Sequence, residues 1–155
     1  MEILSKDSSY YIFLEVIRFH YYRTHVLLEE IGVYPGQPPM LFILNQEDGL
    51  SQKKLANKLK IKPSTITVML KRMEKANLIV RKKDVKDQRV SRVYLTEKGK
   101  KVCEDTIKVV KQIERECFKD FTEEEKETLK SLFLKMKNNI IDAFEEEGKF
   151  IDDKF

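Results

Sequence analysis

Residues 62–95, KPSTITVMLKRMEKANLIVRKKDVKDQRVSRVYL, set a helix with a polar, basic face directly ahead of a short hairpin whose tip and arms carry Lys and Arg. Charge is concentrated there. Residues 51–101 hold 17 Lys and Arg against 4 Asp and Glu, a balance of +13. Residues 1–50 hold 3 against 7, and residues 102–155 hold 10 against 15, or −4 and −5. The whole-chain charge of +4 therefore conceals one strongly basic block between two acidic arms, a distribution suited to gripping a polyanion such as DNA.

The 155 residues amount to one ordinary domain, and a 41% hydrophobic content allows a real core. Charged residues at 36%, with only five Gly and four Pro, point to long helices with solvated faces. No apolar run approaches the roughly 20 residues that span a bilayer. The opening MEILSKDSSYYIF also lacks a basic region followed by an apolar stretch and cleavage site, so a cytoplasmic protein without a membrane partner is expected. Cys103 and Cys117 are fourteen apart in a segment that reads as one helix. At 1.5 Å per residue they are about 21 Å apart, so reduced, structural thiols are expected.

Along the chain, Phe13, Leu14, Ile17, Tyr21, Leu27, Leu28 and Ile31 recur at mostly three- and four-residue spacings, predicting a first amphipathic helix over residues 8–31. The Gly- and Pro-rich residues 32–39 break it, and Pro38-Pro39 fits the first turn of a second helix. Ser51 is an N-cap for a third helix, with Leu55, Ala56 and Leu59 turned inward. Pro63 suits the first position of a fourth, whose Ile66, Met69, Leu70 and Met73 form the buried stripe. Asn77 tolerates the left-handed conformation that stops such a helix. Residues 78–81 and 90–95 read as strands joined by residues 82–89, with Val93 and Leu95 on one side of the second and Arg92 and Tyr94 on the other. Thr96 caps a fifth helix, and Thr122-Glu123-Glu124-Glu125 matches the reciprocal box that starts a sixth. The expected class is mainly α (α+β), in the order α-α-α-α-β-β-α-α.

Helices three and four, joined by three residues, form a helix-turn-helix whose second helix has the size and polarity to enter a major groove. On its open face Ser64, Thr65 and Thr67 offer hydroxyls, Val68 an apolar contact, and Lys71 and Arg72 charge. The hairpin then serves as a wing, with Arg81, Lys82, Lys83, Lys86, Gln88, Arg89 and Arg92 as candidate DNA contacts and Arg89 suited to a narrow minor groove. Asp84 and Asp87 would repel phosphate, so they are expected to bond the hairpin's backbone or to brace Arg89 and its neighbours.

With these residues in place the chain resembles the MarR family of winged helix-turn-helix transcriptional regulators. The resemblance is carried by Pro35-Gly36-Gln37, Leu55-Ala56 through Leu59, Pro63-Ser64-Thr65-Ile66-Thr67, Met73-Glu74, Leu78-Ile79, Asp84-x-x-Asp87-x-Arg89 and Leu95-Thr96-x-x-Gly99. Asn77 departs from it, standing where the family usually has Gly. The resemblance implies a homodimer in which residues 1–34 and 99–155 supply a helical dimerisation region around a DNA-binding lobe at 35–98. The apolar groups of the last helix and of the tail 150–155 suit that role. It also implies a repressor on a palindromic operator, with half-sites about one helical turn (roughly 10 base pairs) apart. A small anionic or phenolic effector is a further implied partner, its candidate residues His20, Tyr21, Tyr22, Arg23 and His25, with Tyr34, Met40 and Ile43 opposite; packing is the competing role for each.

No catalysis and no cofactor are expected, because no nucleophile and base pair up and no glycine loop cradles a phosphate. His20 and His25 are five apart rather than four, so no metal site is expected. The resemblance implies that a peroxide-sensing member would carry a reactive thiol near the start of the first helix, and none is there. Two rival classes are an architectural DNA-binding protein without sequence preference and a winged helix that binds only protein. The hydroxyl-rich face opposes the first, and the retained cations oppose the second.

Overall fold

A computed structural model describes residues 5–147. Its elements are α1 (Ser9–Glu30), α2 (Gln37–Gln46), β1 (Leu50–Ser51), α3 (Gln52–Leu59), α4 (Pro63–Lys75), β2 (Ile79–Lys83), β3 (Ser91–Leu95), α5 (Glu97–Cys117) and α6 (Glu123–Glu146). The mainly helical class and the winged arrangement are as expected, with β1 added ahead of α3. Both hairpin strands also shift: Lys82 and Lys83 pair within β2, leaving residues 84–90 as the connecting loop.

Local chemistry explains most boundaries. Ser8 caps α1 by accepting from the Tyr11 N–H at 3.1 Å. At the far end Gly32 takes φ +69°, letting the Gly32 and Val33 N–H groups bond the Glu29 and Leu28 carbonyls at 3.0 and 2.9 Å. Asn77, at φ +57°, closes α4 in the same way: its N–H reaches Glu74 O and that of Leu78 reaches Met73 O. Ser51 caps α3 through the Lys54 N–H, and Thr122 and Glu125 form the reciprocal box of α6. Thr96 has two tasks, accepting from the Gly99 N–H at 2.9 Å and donating to the Asn77 carbonyl at 2.7 Å. The start of α5 is thereby tied to the stop of α4.

The sheet is antiparallel in the order β1-β3-β2, with Leu50 opposite Val93 and Ile79 opposite Leu95. Its apolar side joins α2, α3 and α4 around Met40, Leu41, Leu44, Leu55, Ile66, Leu70, Met73, Ile79 and Val93, all nearly solvent-free. Leu27 and Leu28 of α1 and Cys103, Val109 and Ile113 of α5 close this core.

Contacts divide the chain into two compact units, one through Glu114 and one from Arg115 onward. In the first, α1 buries only Leu27 and Leu28, so the long amphipathic stripe expected there stays mostly exposed in a single chain. In the second, α6 buries none of its residues and exposes Leu132, Phe133, Leu134, Met136 and Ile140. The expectation for the tail at 150–155 lies outside the described residues. No helix among those described is long and apolar enough to cross a membrane.

Candidate nucleic-acid interface

The inward stripe of α4 is Ile66, Leu70 and Met73, spaced four and three residues apart, and it locks the opposite face outward. Ser64, Thr65, Val68, Lys71 and Arg72 are exposed there. Met69 is only half-buried, a departure from the expected stripe. Thr67 is exposed but engaged: its hydroxyl donates to the Pro63 carbonyl at 2.8 Å and accepts from Gln52 Nε2 at 2.7 Å. These bonds fasten α3 to α4 through an expected DNA contact. Gln52 went unremarked in the sequence, where only its place just after the Ser51 cap could have marked it.

The wing sorts its charges in a way the sequence does not display. Arg81 is held by Glu74, with Nε at 3.1 Å from Oε2, and joins the last turn of α4 to β2. That guanidinium holds the Glu74 carboxyl below the ordinary carboxylate value. Arg92 donates to Asp84 through Nε and to the Gly49 carbonyl through Nη1 at 3.0 Å, so it clamps the wing to the turn before β1. Both arginines, expected as DNA contacts, are thus paired with carboxylates while staying partly exposed. Asp84 also accepts from the Lys86 and Asp87 N–H groups at 2.8 and 2.9 Å, while Asp87 accepts from the Arg89 main-chain N–H at 3.0 Å. The carboxylates thus freeze the loop backbone, and Asp84 grips Arg92 rather than the Arg89 side chain.

Lys82 lies over the Tyr94 ring, 5.3 Å from its centroid. Among the described residues Lys71, Arg72, Lys83, Lys86 and Arg89 stand exposed with no acidic partner, and Gln88 is exposed beside them. Long cations on a helix face and a stiff hairpin can reach phosphates without first breaking an ion pair.

The bonds to Arg92 and to two backbone N–H groups pull the Asp84 pKa from 3.8 to about 2. A depressed carboxylate value means the bracing is fully present above the ordinary value and is lost as pH falls through about 2. The Lys86 and Asp87 amide resonances should therefore titrate with a midpoint near pH 2. A midpoint near 3.8 would show that the carboxyl is free.

The expected effector residues are not gathered. Met40 is closed in the core at 0% exposure, which removes it from any open site. His20, Tyr21, Tyr22 and Arg23 are exposed on α1, where Tyr21 stacks on His25 with ring centroids 6.2 Å apart. Tyr34 instead lines a cleft of about 290 Å³ with Pro35, Gln37, Thr65, Val68, Met69 and Arg72. Cys103 is buried, and burial pushes its thiol pKa up, whereas Cys117 is exposed.

A family model described as the MarR family matches residues 34–91. The HTH-type transcriptional repressor MdtR of Bacillus subtilis (strain 168) is 35% identical over 98 residues, an alignment covering 63% of this chain and 63% of MdtR. The chain thus matches less than two thirds of that relative's length. Among solved structures, a MarR transcriptional regulator from Methanosarcina mazei Go1 superposes with a TM-score of 0.65 at 30% identity, covering 83% of this chain and 96% of that one. The S. aureus MepR F27L mutant bound to an oligodeoxyribonucleotide superposes at 0.63 and 27% identity, covering 86% and 98%.

Proposed function

This chain belongs to the MarR family, and from that premise we propose that it is a sequence-specific double-stranded DNA-binding transcriptional regulator, a non-enzymatic repressor that occupies a palindromic operator as a homodimer. The observation that carries the reading is the division of its cations. Arg81 and Arg92 stiffen the wing from within, leaving Lys71, Arg72, Lys83, Lys86 and Arg89 outward and unpaired on α4 and the hairpin. A small phenolic anion needs no such extended surface; a duplex does.

A second copy supplies the symmetry. Tyr10, Leu14, Ile17 and Tyr21 expose an apolar line on α1 at spacings of four, three and four, and α6 keeps its own apolar residues uncovered. Faces of this kind are expected to be covered by another subunit. Repression is supported by the likeness to MdtR, which is named a repressor. A phenolic or anionic effector is a further proposal, carried by the family resemblance, with His20, Tyr22 and Arg23 of α1 as its candidate residues. Such a role belongs in the cytoplasm with the chromosome.

Selection of bound duplexes from random DNA is expected to return a palindrome, and repeating it with a hydroxybenzoate present tests the effector. Equal affinity for every competitor duplex would replace this reading with non-specific binding. Within the site, Arg89→Ala is expected to weaken operator binding about tenfold and to reduce the salt slope by about one unit. Undiminished affinity would show that the wing stays out of the groove.

A further inference from the structure

The cleft beside α4 adds to the free cation Arg72 a set of uncharged groups that the division of cations does not use. Tyr34 is 64% exposed, but its backbone is fixed from both sides: its N–H donates to Gln37 Oε1 at 3.0 Å and its carbonyl accepts from the Gln37 N–H at 3.0 Å. Gln37 itself is 4% exposed, and Gly36 turns the chain at φ +90° to bring it there. A buried amide therefore holds a phenol at the surface, in one cleft with Thr65, Val68 and Arg72 of the reading face.

The chemistry of that cleft selects its occupant. Its lining holds one arginine and no Asp or Glu, and Pro35, Val68 and Met69 give it an apolar floor. Helix N-termini ordinarily hold phosphate through free main-chain N–H groups. Here Pro38 and Pro39 have none, and that of Gln37 is spent on Tyr34. Beside Thr65 and Arg72, the exposed Tyr34 supplies the cleft with a neutral hydroxyl donor for that task.

We propose that Tyr34 is a further DNA-contacting residue: its hydroxyl donates to a backbone phosphate flanking the groove that α4 enters, while the apolar floor seats the adjoining deoxyribose. This assignment rests on the DNA-binding reading and moves Tyr34 from the expected effector site to the duplex. The contact is neutral on the protein side, so it adds affinity without releasing an extra counterion.

The test is Tyr34→Phe, measured as duplex affinity across a salt series beside Arg72→Gln. The phenylalanine variant should keep the wild-type melting temperature and bind about fivefold more weakly to operator and random duplex alike, with an unchanged salt slope. Arg72→Gln should lower the slope by about one unit. Wild-type affinity for Tyr34→Phe would overturn the contact, and weakening confined to the operator would overturn its assignment to phosphate. If the wild-type protein itself retards no duplex, the DNA-binding reading falls and this assignment falls with it.

Discussion

Gly99→Ala is expected to destabilise the folded chain by about 3 kcal/mol or more, because among the described glycines it has the closest backbone obstacle to an added methyl group. A Cβ at this position would lie 1.9 Å from the Leu78 carbonyl oxygen, 2.9 Å from its carbon and 3.2 Å from Leu95 Cδ2. The main obstacle is backbone, so no side-chain rotation relieves it. Nor is the Leu78 carbonyl free to withdraw, since it accepts the Thr96 N–H at 3.0 Å, and Thr96 caps α5 and ties it to Asn77. The extra methyl must push the first turn of α5 away from the start of the hairpin, loosening Leu95 and Cys103 as it goes.

In a chain of this size 1 kcal/mol moves the melting temperature by about 2–4 °C, so a fall of about 6–12 °C should be seen. Gly32→Ala is the useful contrast. Nothing lies within 4 Å of its added carbon and only its φ of +69° is strained, so about 1 kcal/mol is expected. A loss for Gly99→Ala no larger than that for Gly32→Ala would show that the first turn of α5 yields to the Leu78 contact at little cost.

The second large effect has a sign that simple charge counting gets wrong. Asp84→Ala removes a negative charge from the basic block, which by itself should strengthen binding to a polyanion. Binding is instead expected to weaken about tenfold or more. The substitution strips Arg92 of its carboxylate and leaves the Lys86 and Asp87 N–H groups without their acceptor. The loop that carries Lys86 and Arg89 then has to be ordered on binding, at a conformational cost the wild-type protein has already met in folding. Gel retardation against one operator settles the matter: tighter binding by the variant would mean that wing order contributes nothing. The melting temperature should change far less than for Gly99→Ala, because Asp84 lies at the periphery of the core.

These two sites differ in how visible they were before the fold was known. Asp84 stood out because a carboxylate beside so many cations calls for a bonding role, and its turn-forming bonds to Lys86 and Asp87 are two and three residues away. Its grip on Arg92 joins the two arms of the hairpin, and Arg92 reaches on to Gly49, 43 residues away. Gly99 was visible only as part of a motif. Its reason is the close approach of Leu78, which no local pattern encodes. β1 was invisible for a related cause: two residues have no periodicity, and Leu50 and Ser51 become a strand only because Val93 and Arg92 lie alongside.

Helix starts and stops were legible because capping is a bond between near neighbours, as at Ser51, Pro63, Asn77 and the Thr122–Glu125 box. The basic block was legible because formal charge is a property of composition. Which cations are free was not. Arg81 and Arg92 look identical to Arg89 in one dimension; the turn at Asn77 brings Glu74 within bonding distance of Arg81, and the strand pairing brings Asp84 to Arg92. Thr67 and Tyr34 follow the same rule, one drawn inward by Gln52 and the other held outward by Gln37. Residue chemistry along the chain was enough to set the helices, the hairpin and the overall sign of the surface. The folded arrangement alone determined which side chains keep that surface rigid and which are left to meet a partner, because one hydrogen bond across the fold is enough to move a residue from one group to the other.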